Sequence, residues 1–122
     1  MPLTIINSIA SWILKKRIHQ IELFIKYPIE VQEEILFGLL RSAENTVLGK
    51  KYDYNSIKNY ATFNERIPVS TYEELEPYIN QTRQGAQNIF WHSNIKYFAK
   101  SSGTTNAKSK FIPVSSEALE NN

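Results

Sequence analysis

Two short runs of β-branched and aromatic residues, at 95–99 and 111–114, bracket a polar stretch that holds hydroxyls, one glycine and three lysines. Runs of that composition predict strands, so the residues between them form a loop with two fixed ends. The loop's chemistry suits an anion. Gly103 lets the backbone come close to a ligand, successive backbone N–H groups can form a nest, and Ser101, Ser102, Thr104 and Thr105 add hydroxyl donors. Between Gly85 and Ser116 the chain carries Lys96, Lys100, Lys108 and Lys110 and no Asp or Glu, a local charge of 4 − 0 = +4. On the residues alone two readings stay open, a flexible surface connector and an anion-binding loop. A Walker-type P-loop is excluded. That motif needs two glycines separated by four residues and then Lys and Ser or Thr, whereas the stretch from Gly103 to Ser109 has no second glycine and is one residue short.

With 122 residues, 42% of them apolar and 12% aromatic, the chain can form one domain with a modest core. Its net charge of +2, on basic residues spread along the sequence, argues against nucleic acid as a partner. There is no cysteine, so disulfides, thiolate metal sites and thiol nucleophiles are out of reach, which suits a cytoplasmic protein. His19 and His92 lie far apart and share no metal-ligand spacing, and no metal site is assigned. No catalytic residue is assigned either. Glu73, Glu74 and Glu76 cluster in the manner of a catalytic acid pair, but the start of a helix accounts for them.

In chain order, residues 3–14 are apolar but too short and too polar at Asn7, Ser8 and Ser11 to span a bilayer, and the positive residues Lys15, Lys16 and Arg17 follow the run instead of preceding it. Neither export nor a transmembrane segment is expected. Read at helical period, Ile5, Ile9, Trp12, Ile13, Ile18, Ile21, Leu23, Phe24 and Ile25 predict an amphipathic helix up to the break at Tyr27 and Pro28, its apolar side packed on a core or a partner. Pro28 opens a second helix with the stripe Val31, Ile35, Leu36, Leu39, Leu40 and Ala43, and Gly49 is expected to end it. Residues 62–70 look irregular. Thr71 to Glu74 is a capping box, and Pro77 is expected to divide the helical stretch after it into two short helices ending before Gly85. Phe90, Trp91, Tyr97 and Phe98 read as core, and Ser115 or Ser116 caps a last helix. The expected fold is an α+β piece: a mainly helical N-terminal part (1–27, then 28–94) followed by strand, loop, strand and the start of a helix (95–122), all one incomplete domain.

Ser101-Ser102-Gly103-Thr104-Thr105 with Lys110 resembles the first signature of the acyl-adenylate-forming enzymes. With Lys110 nine residues after Ser101, the loop is most similar to that of the Gretchen Hagen (auxin-responsive promoter) family of acyl acid amido synthetases, which reads Ser-Ser-Gly-Thr-Thr/Ser-x-Gly-x-x-Lys. Ala107 stands where that pattern has its second glycine. The likeness extends over roughly residues 28–120 through Gly49-Lys50-Lys51-Tyr52, then residues 63–69 and 72–79, in the same order and spacing as the family's N-terminal region.

The resemblance implies a piece of a larger α/β adenylate-forming domain, and an enzyme that uses ATP and Mg²⁺ to activate a carboxylic acid before an amine displaces AMP. It implies that Ser101, Ser102, Gly103, Thr104 and Thr105 hold phosphates and that Lys110 or Lys108 supplies the cation. Family members are several times longer, so the partners expected are the nucleotide, the acid and the rest of the adenylating domain, and this chain alone is expected to be an inactive N-terminal fragment. The alternative is a small helical interaction module that binds a partner through the face at 3–25, without nucleotide chemistry.

Overall fold

A computed structural model of the chain describes residues 2–103 and 108–121, with side chains from Ser8 onward. Among the described residues the order is α1 (Pro2–Lys26), α2 (Pro28–Ala43), α3 (Val47–Lys51), a 3-10 turn (Tyr54–Ser56), α4 (Tyr60–Arg66), α5 (Tyr72–Arg83), β1 (Tyr97–Lys100), β2 (Phe111–Val114) and α6 (Ser116–Glu120). The expected architecture, helices first and then a strand pair, is what forms. The chain divides into two compact units, residues 1–37 and 38–122.

In the first unit the break falls at Tyr27, as the proline predicts. Pro28 sits at the first position of α2, where its missing N–H costs nothing, and Val31 N–H closes the first turn on the Tyr27 carbonyl at 3.1 Å. Large apolar side chains of α1 are exposed among the described residues. Trp12 is 65% exposed and Ile13 47%, with Ile9, Leu14, Ile18, Ile21 and Phe24 also exposed.

The second unit holds the core: Leu40, Ala43, Leu48, Ile57, Ile79, Ile89 and Ile95, with Thr46 and Thr82 buried among them. Thr46 is fully buried and acts as a staple, its hydroxyl donating to the Ala43 carbonyl at 2.7 Å and accepting from Gly49 N–H at 2.9 Å. Gly49 does not end α2, which stops at Ala43, but lies inside α3. Its reason for being glycine is space, because a Cβ there would stand 2.0 Å from the Ala43 carbonyl oxygen. Two more expectations need correction. Residues 60–66 are helical, capped by Asn59, whose side chain accepts from Thr62 N–H at 2.8 Å. Pro77 does not divide α5, which runs unbroken to Arg83. A proline there forfeits one backbone bond, and the complete capping box before it, with Thr71 N–H donating to Glu74 Oε2 at 2.7 Å, holds the first turn. Gly85, at φ +102°, then turns the chain out of the helix, with Ala86 N–H bonded back to the Gln81 carbonyl at 3.0 Å.

β1 and β2 pair antiparallel with Tyr97 opposite Val114, Phe98 opposite Pro113, Ala99 opposite Ile112 and Lys100 opposite Phe111. β1 starts two residues later than its apolar run, since Ile95 is buried and its N–H donates to Gln87 Oε1 at 2.9 Å. Of the four aromatics expected in the core, Phe90, Trp91 and Phe98 are half-buried and Tyr97 is exposed.

Candidate functional site

The pairing of β1 with β2 continues one step into the loop. Ser101 N–H donates to the Lys110 carbonyl at 2.9 Å, and Lys110 N–H donates to Ser101 Oγ at 3.0 Å. The two residues that begin and end the signature are thus tied face to face. Accepting that bond leaves the Ser101 O–H hydrogen able to donate elsewhere. Ser102, Gly103 and Lys108 follow on the exposed side of the tie, while Thr104, Thr105 and Ala107 lie outside the described residues.

The arch is seated on α5. β2 packs against that helix, and Phe111 N–H donates to the Tyr72 hydroxyl at 2.9 Å. Lys110 reaches the same place: its ammonium is 3.4 Å from Glu73 Oε1 and 5.0 Å from the centre of the Tyr72 ring. The Glu73 carboxyl is held below the ordinary glutamate range, first by its own backbone N–H at the helix start and then by the Lys110 charge. Near the other end of α5 the Arg83 guanidinium stacks 3.8 Å over the Phe111 ring, with the Lys100 ammonium 5.8 Å from the same ring. The acid-free setting of the sequence is therefore not acid-free in space. Glu73 and the segment 72–79 are read from the sequence, but the contacts of Tyr72, Glu73 and Arg83 with the arch are beyond it, because nothing in the order of residues links position 72 to position 111; only the capping box, which fixes where α5 begins, bears on it.

Past β2, Ser115 caps α6 by accepting from Ala118 N–H at 3.1 Å. Glu117 then accepts from the Ser93 hydroxyl at 2.9 Å and pairs with His92 Nε2 at 3.5 Å. Its carboxyl too is held low, by its own backbone N–H and then by Ser93. A separate concavity of about 300 Å³ is lined by Leu48, Tyr52, Tyr54, Ile67, Leu75 and Phe90 and uses none of the loop residues. Burial raises the Tyr54 phenol. Among the described residues no group of three or more His, Asp or Glu can hold a metal ion. Nor is any helix among them long and apolar enough to cross a membrane.

The family model for the GH3 family N-terminal domain matches residues 17–122. The chain belongs to the GH3 family. Among GH3 relatives, the indole-3-acetic acid-amido synthetase GH3.2 of Arabidopsis thaliana is 33% identical over 106 residues, 86% of this chain and 19% of that protein. The jasmonoyl-L-amino acid synthetase JAR4 of Nicotiana attenuata is 32% identical over 104 residues, 84% of this chain and 18% of its own length. The chain thus spans about a fifth of the GH3 synthetases it matches. The family resemblance read from the loop and the segments before it is the family found.

Proposed function

We propose that residues 100–110 form the polyphosphate-binding loop of an ATP-dependent acyl acid amido synthetase, and that this chain alone lacks the machinery to turn over. The reading rests on the Ser101–Lys110 tie, which closes the loop at its base and gathers Ser101, Ser102, Gly103, Lys108 and Lys110 at one end of the strand pair. That donor set fits a polyphosphate. Hydroxyls and backbone N–H groups bind its oxygens, and the lysines offset the charge that builds as pyrophosphate leaves the α-phosphorus. Among the described residues no cluster of His, Asp or Glu offers magnesium a ligand set. The names of the relatives, amido synthetases of indole-3-acetic acid and jasmonoyl-L-amino acid synthetases, support an acid joined to an amino acid as the substrates. Pyrophosphate exchange tests the claim. With ATP and a panel of carboxylic acids the 122-residue chain gives no acid-dependent exchange, yet binds ATP saturably and more weakly after Lys110→Gln. Acid-dependent exchange overturns the inactivity, and absence of saturable binding overturns the loop assignment.

A second reading is favoured by one observation, the exposure of Trp12 and Ile13 with Ile9, Ile18, Ile21 and Phe24 of α1. In it α1 is an association surface and ATP is irrelevant.

A further inference from the structure

Lys110 is one of the two cations, with Lys108, that the loop as read above offers a phosphate, yet its ammonium is already engaged. It lies 3.4 Å from Glu73 Oε1 and 5.0 Å from the centre of the Tyr72 ring. Tyr72 is itself fixed, because its hydroxyl accepts from Phe111 N–H at 2.9 Å. Glu73 is fixed by lying in the first turn of α5, one residue after Tyr72 and one before the capping-box Glu74. A carboxylate and an aromatic face on adjacent residues, both on a capped helix start, make a defined seat for an ammonium.

Resting on the reading of the loop as a polyphosphate site, we propose that Tyr72 and Glu73 are positioning residues for Lys110, and that a bound polyphosphate draws the ammonium off Glu73. The physical ground is competition. Glu73 and Lys110 are both substantially exposed, with 68% and 47% of their side-chain surfaces in solvent, and an exposed pair is weak and screened by salt. A polyphosphate carries several negative charges where Glu73 carries one, so it wins the ammonium once it is held by the loop's own donors. Glu73 keeps the lysine near the loop before binding and yields it on binding. Among the described residues, Lys100 and Arg83 add positive charge over the Phe111 ring, Lys108 lies two residues before Lys110, and Glu74, next to Glu73, has its carboxylate occupied by Thr71.

The test follows the Glu73 side-chain carboxyl by NMR titration of the 122-residue chain, with ATP as the probe. Lys110→Met is expected to bring the Glu73 titration up toward the ordinary glutamate range, and saturating ATP to do the same in the unsubstituted chain. Glu73→Gln is expected to tighten ATP binding by up to about fivefold at low salt, the range an exposed ion pair covers, with the gain fading as salt is added. If Glu73 titrates alike with and without Lys110, the seat does not exist and the inference is overturned. If ATP binds while Glu73 stays as it was, the release is overturned. If the Lys110→Met shift is seen but ATP does not bind, the seat stands and the nucleotide reading of the loop is what fails.

Discussion

Two glycines on neighbouring helices predict opposite outcomes for the same substitution. At Gly49 a Cβ meets the backbone carbonyl oxygens of Ala43 at 2.0 Å and Glu44 at 2.8 Å, and backbone cannot step aside as a flexible side chain can. Gly49→Ala is therefore expected to cost about 3 kcal/mol or more, read as a lower urea midpoint. At Gly38, inside α2, an added Cβ meets nothing within 4 Å, and Gly38→Ala is expected to stabilise by about 0.5–1 kcal/mol through helix propensity. Equal midpoints for the two variants would show that the turn before α3 yields. The Glu117 carboxyl gives a pH prediction. Its value in the folded chain is lowered, so its contribution to stability is fully present above the unfolded glutamate pKa and is lost as pH falls through the lowered one. Ser93→Ala removes one donor and is expected to move the Glu117 titration upward; an unchanged carboxyl titration would leave its backbone N–H as the sufficient cause.

Among the elements, α1 carries the clearest prediction. If its apolar side is an association surface, Trp12→Glu with Ile13→Glu converts an associating chain to a monomer in sedimentation, whether or not ATP is present; a chain monomeric before substitution removes the second reading. The elements also show where sequence order suffices and where it stops. Pro28, the Thr71–Glu74 capping box, Gly85 and Ser115 each work within four residues of the bond they make or prevent, and each was legible. α4 was not, because seven residues give too little periodicity to register and its evidence is a single Asn59 cap. Pro77 misled because propensity names the cost of an interior proline but not the packing that outweighs it, with Ile79 and Thr82 buried just beyond. At the site the loop residues were readable as a local motif. Their seat on Tyr72, Glu73 and Arg83 was not, since those contacts span far more chain than any pattern covers.

For the whole molecule, the chain belongs to a family whose curated members are about five times its length, and the exchange assay is aimed at what that difference means for turnover. The tie between Ser101 and Lys110 has a bearing on how such chains diverge. Strand pairing has a period of two, so slipping β1 against β2 by one residue would turn every side chain of the pair to the opposite face. Lengthening a loop beyond a closed base disturbs none of that, and even doubling its length adds only about 0.6 kcal/mol of closure entropy. The base is therefore the fixed part: substitutions inside the arch leave the spacing from Tyr97 to Ser101 and from Lys110 to Val114 untouched, while a change in its length would spare the strand pair and lose the nine-residue step from Ser101 to Lys110 on which the phosphate reading rests.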